Sequence, residues 1–452
     1  MLSESLPSAL QPLVRRFVLP LASSPLGDRL VRGAFWSLIG TLASRALTAV
    51  SSIFVARILG KTGFGEFGII QSTLGMFGVF AGFGLGMTAT KYVAEFRDKD
   101  PSKAGRILAI STVFAIVSSG FVCILIVVCS SWVSARLLAA PHLSDLLKIG
   151  AGILFFSAVS GVQTGSLAGF EAFKAMARIN ILIGVATLPL MITGVYFFDL
   201  KGAVWALLVI TVWNCSLNRI ALKHEAKRSG VPLSLAGSSA ADWKVLWRFS
   251  MPALLSASMV GPINWVCNAL LVNQPDGYAE MGVLNAANQW YNLILFLPLI
   301  LSRVNMPMLS NKLGKGDKEN SKQILKRSLK MIAFSVFPLV IAGAILSPWI
   351  MQLYGDSFRG EWMVLVVALL TAGILSILSP VGDVIAASGR MWTGFVMNIG
   401  WACIFIFISW LLLDFGALGL SISRGVSYTV HASWTFMFAY HYMKGIATGA
   451  QR

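Results

Sequence analysis

Residues Ile107 to Ser130 read ILAISTVFAIVSSGFVCILIVVCS, a run without one charge. Apolar side chains occupy every side of the helix this run would form, so it has no water-facing stripe. At 1.5 Å per residue it is about 36 Å long. That is enough to cross a hydrocarbon core of about 30 Å. Strands of an outer-membrane barrel are about 9–11 residues long and alternate in polarity, which this run does not. It reads as a membrane-spanning helix.

Eleven more stretches read the same way. The predicted spans are 34–57, 67–90, 107–130, 147–169, 177–198, 202–222, 248–272, 281–303, 331–352, 362–386, 391–413 and 416–440. In lipid the backbone must satisfy its own hydrogen bonds, and helices do so within one segment. The fold class is therefore an all-α polytopic membrane protein of about twelve transmembrane helices. Composition agrees. Of 452 residues only 12% are charged and 56% are hydrophobic; mean hydropathy is +0.75. Soluble domains carry about 25% charged residues. A soluble enzyme, a nucleic-acid-binding domain and a disordered scaffold are excluded.

The net charge is +17. Basic residues collect in cytoplasmic loops, and placing the N-terminus inside sorts them sharply. With residues in the last few positions of a span counted to the side they border, 28 of the 36 Lys and Arg fall on the cytoplasmic side and 6 outside, and Arg45 and Arg424 lie well within spans. Both termini are thus expected in the cytoplasm, and the excess charge needs no nucleic-acid partner. The predicted organisation is a cytoplasmic lead over 1–33, an N-lobe over 34–222, a cytoplasmic linker over 223–247, a C-lobe over 248–440 and a tail over 441–452. The lead holds Arg15 and Arg16, but Pro20 and Pro25 break the apolar run after them, unlike a signal peptide. Cys123, Cys129, Cys215, Cys267 and Cys403 lie singly in apolar runs, which points to packing rather than disulfides or metal.

The long linker near the middle invites a search for a repeat. Gly63–Gly68 (GFGEFG) is matched by Gly277–Gly282 (GYAEMG), at a sequence offset of 214. Ser131-Trp132-Val133 is matched by Pro348-Trp349-Ile350, and Asn180-Ile181 by Asn398-Ile399, at offsets of 217 and 218. Six helices per half would give a parallel repeat, its pseudo-two-fold along the membrane normal.

The runs Arg32-Gly33-Ala34-Phe35-Trp36, Val55-Ala56-Arg57-Ile58-Leu59-Gly60, Gly63–Gly68 and Lys91-Tyr92-Val93-Ala94-Glu95 resemble those of bacterial polysaccharide-lipid flippases of the Wzx type. These belong to the multidrug/oligosaccharidyl-lipid/polysaccharide exporter superfamily. The resemblance extends over the chain in topology and length, with its specific motifs mainly in the N-terminal quarter. It implies a V-shaped, two-lobed transporter with a central cavity in the bacterial inner membrane. The implied cargo is an undecaprenyl-pyrophosphate-linked oligosaccharide, moved from the inner to the outer leaflet for O-antigen, lipopolysaccharide or other surface polysaccharide. Membrane lipids, and the polymerase and glycosyltransferases of the same pathway, are the implied partners.

A charge inside a span is costly and marks a candidate site. Arg45 falls near mid-depth of the first span, on one face with Ser37, Thr41, Thr48 and Ser52. That stripe suits the wall of a watery cavity. The competing reading is a structural arginine bonded to carbonyls of a neighbouring helix. Ser421, Arg424, Tyr428, His431 and Thr435 repeat the spacing on the last span, where interhelical bonding competes equally. The eighth span offers Asn285, Gln289, Asn292 and Arg303, with Asn288 adjacent; the seventh offers Asn264 and Asn268. Amides suit sugar hydroxyls and helix packing alike. Gln71 is the corresponding polar group of the second span. Gly78, Gly82 and Gly86, like Gly161, Gly165 and Gly169, recur at every fourth position, as close helix packing requires.

The acid expected within the membrane is Asp383, a candidate for ion coupling. A cation-drug antiporter would place an acid in its cavity; Arg45 favours an anionic cargo. A lipid II flippase shares the pyrophosphate but typically carries extra helices. A membrane-embedded polymerase or glycosyltransferase would need a long outer catalytic loop or an acidic metal motif. No GxxxxGK[ST] loop and no nucleophile–base or metal set is present, so neither an enzyme nor a cofactor is expected.

Overall fold

The computed structural model describes residues 25–234, 259–314, 317–388 and 390–445, all as helices and short connections. In chain order the helices are α1 (Pro25–Gly82), α2 (Leu85–Phe96), α3 (Pro101–Trp132), α4 (Ser144–Gly169), α5 (Phe173–Arg228), α6 (Val260–Val272), α7 (Gly277–Gly314), α8 (Lys318–Leu353), α9 (Trp362–Ala387), α10 (Met391–Leu411) and α11 (Gly416–Gly445). A π turn, Val133–Leu137, follows α3. Among the described residues, seven helices are long and apolar enough to cross a membrane.

Two of these helices are interrupted. Gly60 leaves helical geometry at φ 68°, ψ −178°, dividing α1. Phe198 and Asp199 do the same in α5, Asp199 at φ 48°. The second predicted span, 67–90, is also broken, by Phe83 at φ 48° and Gly84 at φ 66°. At Gly84 the break costs nothing, because glycine enters the left-handed region without penalty. Residues 235–258, which hold the end of the predicted linker and the start of the seventh span, lie outside the described residues.

The helices pack as two groups. α1 to α5 contact one another, as do α6 to α11, and the groups meet where α1 lies along α7 and α6. One contiguous apolar core runs through the seam, including Phe64, Ile69, Leu284, Val336 and Trp401. Large apolar side chains also point outward. Phe121 on α3 is 69% exposed and Phe334 on α8 is 80% exposed, with Ile124, Val128, Ile341 and Ile345 beside them. Continuous apolar faces of this kind suit hydrocarbon as their solvent.

The seam is close. A Cβ on Gly65 would run into the Tyr278 carbonyl, and one on Gly282 into the Lys61 carbonyl. These contacts are reciprocal, because Gly65 and Gly282 stand at a sequence offset of 217, as do Lys61 and Tyr278. The same interval recurs in local structure. Asp100 caps α3, accepting from the Lys103 amide at 2.9 Å. Asp317, its counterpart at that interval, caps α8, accepting from the Asn320 amide at 3.3 Å. Left-handed Asp199 has its counterpart in Gly416, at φ 57°. Contacts therefore pair the GFGEFG and GYAEMG stretches in a register shifted by three from the match of like residue types.

The glycine stripes divide. Gly165 meets the Gly86 carbonyl and Gly169 the Thr90 carbonyl, so α2 and α4 touch backbone to backbone there. Gly78, Gly82 and Gly161 have open space where a Cβ would stand. They line a groove of about 520 Å³ with Ile153, Leu154 and Met87.

Candidate functional site

Arg45 extends from α1 across the seam to α7. Its Nη1 donates to the Asn292 carbonyl at 2.9 Å, and its guanidinium lies 4.9 Å from the Phe296 ring centre. The bond to a neighbouring helix is thus present, yet the side chain is only half-buried. Among the described residues it has no carboxylate partner. Among the described residues no hydrogen bond takes up its remaining N–H groups. Thr41 is half-buried beside it. Thr48 is exposed and spends its hydroxyl on the Ser44 carbonyl, at 2.9 Å. Ser52 is buried, bonded to the Ala49 carbonyl at 2.8 Å.

The amides fall into two classes. Asn268 is buried and donates to Ser72 Oγ at 2.9 Å. Asn285 is buried against α1, with a long 3.4 Å bond to the Phe64 carbonyl. Both hold the seam. Asn264 turns its amide to the Val260 carbonyl of its own helix, at 2.7 Å. Asn292 is exposed, while Gln71 and Gln289 are half-buried and make no hydrogen bond among the described residues. Among the described residues, Gln71, Gln289 and the Asn292 side chain therefore keep donors and acceptors free. The side chain of Arg303 lies outside the described residues.

The polar face of α11 turns into the second helix group, towards α7 and α10. Arg424 is 6% exposed. Its Nη1 donates to Asn288 Oδ1 at 2.7 Å, and its guanidinium lies 5.3 Å from the Tyr291 ring centre. Tyr428 stacks on Trp401 with ring centres 5.1 Å apart. His431 Nε2 meets Asn398 Oδ1 at 3.2 Å. Arg424, like Arg45, is a cation held by neutral groups. Asp383 is buried on α9, accepting from Ser302 Oγ at 2.6 Å, and its other oxygen has no partner among the described residues. The structure therefore brings Arg45 together with Asn292, and separately joins Arg424, Tyr428 and His431 in the interior. It leaves Asp383 apart from both.

Sequence reasoning passed over a second buried polar cluster. Asn218 on α5 donates to Asn214 Oδ1 at 2.8 Å and to Ser160 Oγ on α4 at 3.3 Å. Gln163 is buried nearby, its Oε1 without a partner among the described residues. The spacing rule applied elsewhere would have found it, since Asn214 and Asn218 are one turn apart, as are Ser160 and Gln163. Asn288 was noted only as a neighbour, although it is the group that holds Arg424. Trp265 donates from Nε1 to Thr73 Oγ1 at 2.9 Å and adds another bond across the seam.

The family described as "Polysaccharide biosynthesis protein" matches residues 30–312. The chain is 22% identical over 391 residues to the EPS I polysaccharide export inner membrane protein of Ralstonia nicotianae, covering 84% of this chain and 87% of that one. It is 22% identical over 421 residues to the lipid III flippase of Escherichia coli, covering 89% and 96%. Among solved structures it resembles a multidrug resistance MATE family transporter of the MOP superfamily in an inward-facing conformation. The TM-score is 0.70 at 15% identity, over 92% of this chain and 99% of that one.

Proposed function

The chain belongs to the polysaccharide biosynthesis protein family, and from that premise we propose that it is a flippase for a lipid-linked glycan. The cargo is an undecaprenyl-pyrophosphate-linked oligosaccharide of cell-surface polysaccharide synthesis. It crosses the bacterial inner membrane by alternating access, with the polymerase and glycosyltransferases of the same pathway acting on either side. The names of the relatives support a polysaccharide cargo.

Twelve spans form two six-helix lobes, and both termini are cytoplasmic. The breaks at Gly60 and at Phe198–Asp199 support that count, since each divides one long helix into two. Reciprocal contacts and caps at a shared sequence interval support the parallel repeat. The basic bias supports the orientation. A cysteine replacing Asp356 labels only from outside in this reading; labelling from the cytoplasm would overturn it.

One observation carries the cargo assignment. A half-buried guanidinium sits at the seam with no carboxylate partner among the described residues. A cation there lowers the free energy of a polyanion in a low-dielectric passage. Free amides of Gln71, Gln289 and Asn292 face sugar hydroxyls, and the polyprenyl chain stays in or beside the bilayer. Carrying the head group in this way avoids the cost of moving unpaired polar groups through hydrocarbon. Asp383, with its unpartnered oxygen, is the candidate for coupling to an ion. The test is surface glycan in a deletion strain, with membrane abundance measured in parallel. Arg45→Lys retains partial transport, because Lys binds phosphate as a point charge. Arg45→Ala and Arg45→Glu abolish it at unchanged abundance. Normal transport by Arg45→Ala, or its failure only through loss of protein, overturns the assignment.

A further inference from the structure

One end of the seam is tied by bonds that come in matched pairs. Arg57 on α1 donates from Nε to the Leu353 carbonyl at 2.6 Å. Leu353 is the last residue of α8. Asn273, following α6, donates from Nδ2 to the Leu137 carbonyl at 2.7 Å. Leu137 ends the π turn that finishes α3. The sequence offset from Arg57 to Asn273 equals that from Leu137 to Leu353, and it is one short of the interval that relates the two halves elsewhere. The two bonds are therefore copies of one another, running in opposite directions across the seam.

A second pair lies beside them. Lys61 forms an ion pair with Glu361 at 2.7 Å, and Tyr278 donates its hydroxyl to the Leu138 carbonyl at 2.6 Å. Lys61 and Tyr278 are again counterparts; Tyr278 reaches the residue just past the π turn after α3, and Lys61 reaches the residue that precedes α9 in the other group. Phe64, Tyr354 and Phe358 fill the space between, with ring centres 5.8–6.3 Å apart. Gly68 faces Asn285, which is its own counterpart in the second half. A residue meets its own counterpart only on a two-fold axis, so the tied end is centred on that axis.

Helix-end carbonyls have no donor within their own helix, and they carry the negative end of the helix dipole. Each is held here by a donor from the other group. We propose that these exchanged caps form a latch that shuts one end of the transport path, and that opening that end requires both donors to release. On the proposed orientation the shut end is the outer one. The latch is lopsided. Its Leu353 limb carries Arg57 and the Lys61–Glu361 pair and is charge-assisted, whereas its Leu137 limb, with Asn273 and Tyr278, is neutral. Charge-assisted bonds are roughly twice as strong as neutral ones, so the Leu353 limb dominates.

The test is a distance measurement across the tied end, which needs no cargo and is independent of the transport assignment. Spin labels on cysteines replacing Ala139 and Asp356, both exposed, are read by electron double resonance in lipid nanodiscs. The parent gives one short distance. Arg57→Ala adds a longer one and raises the open fraction about fivefold, as expected for one lost hydrogen bond. Asn273→Ala raises it less, and the double variant more than either. Raising salt opens the parent and the Asn273 variant but barely moves Arg57→Ala combined with Lys61→Ala. If the double alanine variant fails to reach the membrane, Arg57→Gln with Asn273→Ala is read instead. An unchanged distance distribution in a folded double variant overturns the proposal, and so does an equal effect from the two limbs.

Discussion

Replacing Gly65 by alanine tests the seam most directly. In an exposed helix, Gly→Ala stabilises by up to about 1 kcal/mol. Gly78, further along α1 with half-exposed surroundings, has nothing within 4 Å of a new Cβ. Gly78→Ala is therefore expected to gain most of that amount. At Gly65 the new Cβ would lie inside the Tyr278 carbonyl and close to the Gly282 amide, 2.8 Å away. These are backbone atoms of a packed helix and cannot swing aside as a side chain does. Overpacking of this kind costs about 1–3 kcal/mol, occasionally more. The propensity gain is common to both substitutions, so the difference between them isolates the clash. We expect Gly65→Ala to be less stable than Gly78→Ala by about 2–3 kcal/mol. The measurement is the unfolding midpoint in mild detergent, with membrane abundance measured for both. Equal midpoints would show that α1 and α7 do not approach at Gly65, and the reciprocal contact with Gly282 would fall with that result.

Three further outcomes are expected. Asp383→Asn keeps the Ser302 hydrogen bond but removes the charge, so it should preserve abundance while abolishing the dependence of transport on the driving ion; unchanged ion dependence would remove Asp383 from coupling. Asp100→Ala and Asp317→Ala should each cost about 1 kcal/mol as lost N-caps, and should add in the double variant because the sites are distant, as read by the same midpoints. Arg424→Gln retains a donor for Asn288 without the charge; full abundance with lost surface glycan would place Arg424 on the cargo path, and normal glycan would make it a packing residue.

Hydropathy made the helices legible, because spanning lipid demands length and apolarity of each segment by itself. It could not say which neighbour covers a given face. The polar stripe of α11 suits a cavity wall and interhelical bonding equally, and only the packing shows Arg424 and Tyr428 enclosed by α7 and α10. Arg45 was legible as a buried cation, but its bond to the Asn292 carbonyl depends on how α1 meets α7. The break at Phe83 was hidden inside an uninterrupted apolar run, where hydropathy is blind to backbone conformation. The first match of the proposed repeat is out of register with the contacts for a related reason. Like residue types in GFGEFG and GYAEMG align in one register, whereas the contacts that bind the two groups align in another, shifted by two or three positions. A contact constrains position without constraining side-chain identity.

Gly68 opposite Asn285 is an arrangement that two identical chains could not make. In a homodimer the residue on the axis meets a copy of itself: two glycines leave a gap, and two asparagines compete for one space. A single chain that carries both copies escapes that constraint. It can fill the axis with one large residue from the second copy and a vacancy from the first, and the Asn285 amide then reaches the Phe64 carbonyl across the space that glycine leaves. In the proposed repeat, joining the halves covalently thus permits divergence at a position where symmetry would otherwise forbid it.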